Sequence, residues 1–486
     1  MSTVLSAEAV GAPTQLMIAG RWVDASDHQT FDVDDPATGD VIATVANASV
    51  EDGLAAVSAA SAALPAWAAT PPRQRAELLR RTFELMTQRA EDFARLIVRE
   101  NGKALPDARG EVAYAAEFIR WYAEEAVRAE GHLQTAPGGA NRILVLRQPI
   151  GVSVLITPWN FPAAMATRKI GPALAAGCTV VLKPASDTPL TALAMGALLM
   201  EAGVPAGVVN VLPSRRSGPV VTAMLHDSRV RKLSFTGSTE VGRGLLRAAS
   251  DCVVNCSMEL GGNAPFIVFD DADLESAVAG AMVAKMRNGG EACTAANRFL
   301  VQRGVAKEFG RRLSETMGAL RLGPGLDEGT QLGPLINAAG RDKVVSLVAG
   351  AVRDGARLAV GGTVPDGPGF FYPATVLVDV PVEAAILREE VFGPVAPVVV
   401  FDTEEEAVAL ANDTEYGLVA YVYTSDLQRG LRFSEALESG MIGLNRPIVS
   451  DPAAPFGGVK QRGLGREGGH AGLLEFMESK YIAVTW

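Results

Sequence analysis

Ala76, Leu79, Phe83, Met86, Ala90, Phe93 and Ile97 follow one another in steps of three and four. That spacing predicts one apolar face of a long helix, with core packing as its role. Before it, Gln15 to Ile18 and Phe31 to Val33 read as short strands, with Pro36 to Asp40 as a turn. A second helix is expected from Pro106 to about Gly131. From Val152 the pattern changes to strands alternating with helices. Strands are predicted at Val152–Ile156, Thr179–Leu182, Val208–Leu212 and Lys232–Phe235, and helices at Ala163–Ala176, Leu190–Ala202, Val220–Leu225 and Thr239–Ala249. Apolar strands with helical crossovers make a parallel, doubly wound α/β sheet, which binds ligands at the carboxyl ends of its strands. After the polar turn Glu259-Leu260-Gly261-Gly262, a second α/β unit starts at Ala264–Phe269 and extends to about Gly440.

Two stretches fall outside this alternation. Asn141 to Val154 is extended but broken by Pro149-Ile150-Gly151, which suggests an arm leaving the main body for use in assembly. Tyr481 to Trp486 is apolar and β-prone; it suits pairing with another subunit as well as burial at home.

Composition narrows the function classes. A chain of 486 residues suggests about three domains, or two large ones with an appendage. With 48% hydrophobic and 20% charged residues it reads as a well-packed soluble protein. A net charge of −11 with no Lys/Arg-rich block argues against a nucleic-acid surface. Four cysteines do not make a disulfide scaffold, and a reducing cytoplasm is the simpler setting. The first twenty residues carry Glu8 but no Lys or Arg, unlike a signal or transit peptide. No apolar run reaches the ~18 residues of a membrane span. His28, His132, His226 and His470 are scattered, so no metal cluster is expected. Cys252 and Cys256 read as strand residues with packing roles.

Candidate chemistry centres on Met286 to Arg298, where an apolar helix (Leu274 to Met286) meets paired glycines and then a strand (Arg298 to Gln302). Cys293 sits on the intervening loop. It would be a nucleophile if a neighbour lowers its pKa or takes its proton; a buried structural thiol is the other reading. Phe235-Thr236-Gly237-Ser238-Thr239-Glu240-Val241-Gly242 follows a strand and opens a helix, so its amides could hold a diphosphate, although a plain turn fits as well. Gly463-Leu464-Gly465-Arg466-Glu467-Gly468 matches GxGxxG literally, but too little chain follows for a βαβ unit. An active-site or interface loop suits it better.

Together these stretches resemble the aldehyde dehydrogenase superfamily over nearly the whole chain. The motifs, in order, are Thr157-Pro158-Trp159-Asn160-Phe161-Pro162, Lys183-Pro184-Ala185-Ser186, Phe235-Thr236-Gly237-Ser238, Glu259-Leu260-Gly261-Gly262, the Cys293 loop, Glu390-Val391-Phe392-Gly393-Pro394 and Pro455-Phe456-Gly457-Gly458. The resemblance implies a Rossmann-like dinucleotide-binding domain (1–135 and 155–261), a catalytic domain (262–440) and an oligomerisation arm (136–154 and 468–486). It implies that Cys293 attacks the aldehyde, that the Asn160 amide and the Cys293 N–H stabilise the oxyanion, and that Glu259 activates the hydrolytic water. It places Lys183 and Ser186 at the adenosine ribose, Gly237 and Ser238 at the diphosphate, Trp159 along the cofactor cleft, the Leu260 backbone at the nicotinamide amide, and Glu390 with Phe392 at the nicotinamide ribose.

Relatives preferring NAD often carry Glu where Ser186 stands. A serine beside Lys183 admits a 2′-phosphate, so NADP is expected to be accepted alongside or instead of NAD. Members acting on succinate semialdehyde hold its carboxylate with two arginines and a serine, and Arg168, Arg287 and Ser450 match them. The other reading pairs both arginines with acidic neighbours at the domain seam. Alternative substrates are glutarate semialdehyde and neutral aliphatic or aromatic aldehydes. A CoA-acylating enzyme fits less well because Glu259 is present, and a cysteine hydrolase lacks a histidine motif. Arg462 stands where relatives carry a small polar residue, so it either reshapes the mouth of the site or faces solvent. The resemblance also implies a homodimer or homotetramer.

Overall fold

The computed structural model describes residues 12–485, so Glu8 and Trp486 lie outside it. Two α/β bodies and a small β arm make up the chain. In the first sheet the strand order is Arg21–Val23, Leu16–Ile18, Val209–Val211, Thr179–Lys183, Val152–Ile156, Val230–Thr236, Asn255–Glu259 and Gly463–Leu464. The five central strands are parallel, while antiparallel pairs close both edges. Chain order reverses between Val152–Ile156 and Val230–Thr236, which opens the ligand crevice of a doubly wound sheet at their carboxyl ends. Those ends lead into Thr157 to Asn160 and into Gly237-Ser238.

The second sheet runs Arg357–Val360, Thr375–Val378, Val395–Phe401, Ala296–Gln302, Ala264–Val268, Val419–Tyr423 and Met441–Leu444. Two of its inner strands, Ala264–Val268 and Val419–Tyr423, are apolar along their whole length and buried at every position, as strands covered on both faces are. Most predicted elements appear within a residue or two of their expected limits.

Five expectations change. The long apolar face from Ala76 to Ile97 belongs to two helices, Pro72–Gln88 and Ala90–Asn101, split where Arg89 leaves helical geometry (φ −107°, ψ 21°). Glu91 and Asp92 then fill the first turn of the new helix, the favoured end for acidic side chains. The following helix ends at Glu125 rather than near Gly131. The arm is a three-stranded sheet of His132–Thr135, Arg142–Pro149 and Met477–Val484. It therefore begins before 136 and ends before 154, and Val152–Ile156 lies wholly in the first sheet. The second sheet likewise runs past 440 to include Met441–Leu444. Lastly, Cys252 is exposed in a turn ahead of the strand that carries Cys256.

The short helix Gly469–Leu474, through its capping residue Glu475, also completes the first body. Glu475 reaches the buried Lys232 (3.1 Å) and accepts from Ser257 Oγ (2.6 Å). No single helix among the described residues is long and apolar enough to cross a membrane.

Candidate active site

The helix Leu274–Met286 stops because three successive residues turn left-handed: Asn288 (φ 55°), Gly289 (φ 61°) and Gly290 (φ 80°). At Gly290 a Cβ would also stand 2.3 Å from the Gly393 carbonyl oxygen, so glycine is required twice over. Asn288 tolerates the conformation because its Nδ2 donates to the main-chain oxygens of Asn160 (2.9 Å) and Glu291 (3.0 Å). The loop that follows sets Cys293 into the wall of a cavity of about 340 Å³.

Asn160 faces the same cavity from the first body. Its Nδ2 donates to Glu291 O (3.0 Å), and an amide carries a second N–H for another acceptor. Its own carbonyl accepts from Lys103 Nζ (2.7 Å), and Asn101 Nδ2 donates to Trp159 O (3.1 Å). Lys103 is buried in an ion pair with Glu111 (2.6 Å), whose other oxygen accepts from Ala163 N (2.8 Å) at the start of the helix Pro162–Ala176. Two helices of the first body thus clamp the Trp159-Asn160 turn through buried charge.

Arg168, Arg287 and Ser450 line this cavity too, but the two arginines differ. Arg168 sits on a helix buried along its whole length and pairs with Glu467 (2.5 Å). Glu467 also holds Lys169, whose Nζ donates to Ser234 Oγ (2.9 Å). Arg287 has no ion pair among the described residues and lies over the rings of Phe161 (5.0 Å) and Tyr114 (5.4 Å). Seam pairing with an acidic neighbour therefore describes Arg168 and not Arg287.

Burial dominates the electrostatics. It pushes the Cys293 thiol above its usual range, with Arg462 and Arg168 pulling it back. It pushes Glu259 up to about 7, again opposed by Arg462. Glu467 is held low: burial raises it, but Arg168 and Lys169 outweigh burial. Arg462 neither faces solvent nor shapes the mouth. It is 0% exposed, with Nη2 3.0 Å from Glu259 Oε2.

On the cofactor side, Trp159 and Phe392 meet edge to face across the two bodies (5.3 Å, 87°). Gly237 and Ser238 open the helix Thr239–Ser250, capped by Ser238 Oγ. Leu260 donates its N–H to Arg462 O (2.7 Å), which leaves its carbonyl for a ligand. Glu390 accepts from Gly262 N (3.0 Å). Lys183 ends its strand buried, and burial pushes its ammonium down to about 8 against the pull of Asp187. Ser186 lies half-buried three residues on. An open helix N-terminus and a poorly compensated buried ammonium at one crevice suit a phosphorylated dinucleotide.

Residues 22–482 match the model of the aldehyde dehydrogenase family. The chain belongs to that family. It is 58% identical to a succinate-semialdehyde dehydrogenase of Paenarthrobacter nicotinovorans, over 92% of this chain and 99% of that one. It is 50% identical to a glutarate-semialdehyde dehydrogenase of Pseudomonas putida, over 97% and 98%. Among solved structures, an E. coli NADP dependent enzyme superposes with a TM-score of 0.96 at 49% identity, covering 98% of both chains.

Within this aldehyde dehydrogenase fold, Asn160, Cys293, Trp159, Arg168, Arg287 and Ser450 share one cavity with Gly237, Ser238, Leu260, Glu390 and Phe392. Glu259, Lys183 and Ser186 do not line it; Glu259 is buried, and the other two lie at and just after the carboxyl end of Thr179–Lys183. Sequence reading passed over Lys103, Glu111 and Lys169. Lys169 had a signal, as charge inside an otherwise apolar helical pattern; Lys103, on the link between two helices, and Glu111, in a helix with many charged residues, had none. It also passed over Glu467 as a ligand of Arg168, since no spacing relates residues 168 and 467.

Proposed function

We propose that the protein oxidises succinate semialdehyde to succinate with NADP, or with NAD. Cys293 attacks the aldehyde carbon, and Asn160 Nδ2 and the Cys293 N–H receive the oxyanion of the thiohemiacetal. A bound nicotinamide supplies the hydride acceptor, so that Cys293 is left as a thioester. Glu259 then takes a proton from water, whose oxygen attacks the thioester carbonyl and frees the carboxylate and the thiol. Trp159, Gly237, Ser238, Leu260, Glu390 and Phe392 would hold the nicotinamide and diphosphate end, with Lys183 and Ser186 at the ribose bearing the 2′-phosphate.

The observation that carries the substrate reading is Arg287. It is a guanidinium without an ion-pair partner among the described residues, on the wall of the nucleophile's cavity that Arg168 and Ser450 also line. A cation left so in an aldehyde pocket suits a substrate that brings its own carboxylate. The names of the relatives from P. nicotinovorans and P. putida agree with a dicarboxylic semialdehyde.

Arg287→Ala is expected to lower kcat/KM for succinate semialdehyde by about 10- to 100-fold, the worth of one charge-assisted hydrogen bond, and to spare butanal. Equal losses on both aldehydes, or none, would refute the clamp. The same assay with each cofactor checks the ribose site: turnover with NADP is expected, and turnover with NAD alone overturns it. Glutarate semialdehyde is the second reading, and one methylene separates the two substrates by only about 1–3 kcal/mol. A higher kcat/KM on the five-carbon aldehyde selects it.

Assembly through the arm completes the proposal. Leu133, Leu146, Tyr481 and Ile482 are exposed on a sheet whose outer strands, among the described residues, each pair on one side only. A dimer or dimer of dimers is expected, and Tyr481→Glu should weaken it. Light scattering that shows a monomer throughout would reject this. All four cysteines are free, which suits the cytoplasm.

A further inference from the structure

Arg462 carries a guanidinium into the interior and leaves it poorly satisfied. None of its three side-chain nitrogens makes a hydrogen bond of good geometry, and neither does Glu259 Oε2, although the pair stands only 3.0 Å apart. The placement is nevertheless built in. Leu260 N–H donates to the Arg462 carbonyl, and Gly463–Leu464 pairs with Met258-Glu259. A Cβ on Gly458 would stand 2.4 Å from Arg462 Cγ, so glycine there makes room for the arginine stem. Glu259 Oε1 lies beside Gly457, 3.1 Å from where a Cβ would be. Neither Glu259 nor Arg462 lines the cavity that Cys293 opens onto.

We propose that Arg462 is a positioning residue for Glu259, holding its carboxylate ionised and drawn back beside Gly457 until water is to be activated. The proposal rests on Glu259 as the hydrolytic base. The charged and titratable groups facing Glu259 are Arg462 and Glu467 from the C-terminal loop, Arg168 and Lys169 from the buried helix, and Cys293. Burial and Glu467 favour the neutral acid; the three cations oppose them. Arg168 and Lys169 are already shared with Glu467, so Arg462 is the cation that pairs with Glu259 directly. Without it, a carboxylate this deep would stay protonated at neutral pH and could take no proton from water. An ion pair lacking aligned hydrogen bonds constrains charge more than direction, so Glu259 can turn toward the cavity without breaking a directional bond. The same guanidinium draws the Cys293 thiol downward.

Deacylation can be followed by quenching the enzyme in acid during turnover of succinate semialdehyde with NADP and weighing the intact acylated protein. For Arg462→Gln, the acid limb of the deacylation rate is expected to move up by about one pH unit or more, the effect of an opposite charge at this range. Arg462→Lys should bring it most of the way back. An unshifted limb in Arg462→Gln overturns the proposal. Glu259→Gln separates the two readings. If deacylation stays fast there, Glu259 is not the base; if it slows there while the Arg462→Gln limb is unmoved, only the role of Arg462 fails. Should Arg462→Gln not fold, Arg462→Ser, the kind of small polar residue relatives carry there, supplies the reading. Its acid limb should move up in the same direction. An unshifted limb there overturns the proposal.

Discussion

Glu259→Gln is expected to release one equivalent of reduced cofactor per active site and then turn over about 10²- to 10⁴-fold more slowly than the parent. Glutamine keeps the shape of the side chain but cannot accept a proton. Hydride transfer precedes hydrolysis, so the first equivalent is spared and the enzyme stalls as the Cys293 thioester. Removing the carboxylate also removes a charge that raises the Cys293 thiol, so thiolate formation is not the step that suffers. Burial sets Glu259 to about 7, close to the pH at which a general base works best. Stopped-flow absorbance of the reduced cofactor reads both phases. Multiple turnovers at the parent rate, or no first equivalent, would contradict this assignment.

Asn160→Ala should slow kcat roughly a hundredfold, the worth of one oxyanion donor at on the order of 3 kcal/mol. The backbone of the turn should hold, because Lys103 and Asn288 bind the Asn160 carbonyl rather than its side chain. The loss should therefore fall on kcat, with KM little changed. A loss under about threefold, or one confined to KM, would point to a helix-capping or packing role instead.

The elements that could be read from the chain were those whose apolar pattern follows from burial on both faces. Val152–Ile156 and Thr179–Lys183 are buried at every position, and their strand character is plain in the sequence. The nucleophile loop was legible too, since Gly289-Gly290 ends an apolar helix and a strand begins at Ala296. The break at Arg89 was hidden because the apolar spacing runs on unchanged through it. His132–Thr135 is exposed at all four positions, so no alternation marks it as a strand. The site residues that escaped notice depend on distant partners. Nothing local to Arg168 shows that Glu467 balances it, and nothing around Arg462 shows that its loop returns to the edge of the first sheet beside Glu259.

That return has a consequence for how the protein comes off the ribosome. Arg168, Lys169 and Lys232 are all buried in the first body, and their counter-charges are Glu467 and Glu475. The sheet they pack against lies largely within the first 260 residues of chain. During synthesis that sheet emerges some two hundred residues before these carboxylates, at a stage when the three cations lack the anions that pair with them directly. Its closure therefore waits for the 462–475 segment, and the nucleophile and its base are brought into register only after that segment has been made.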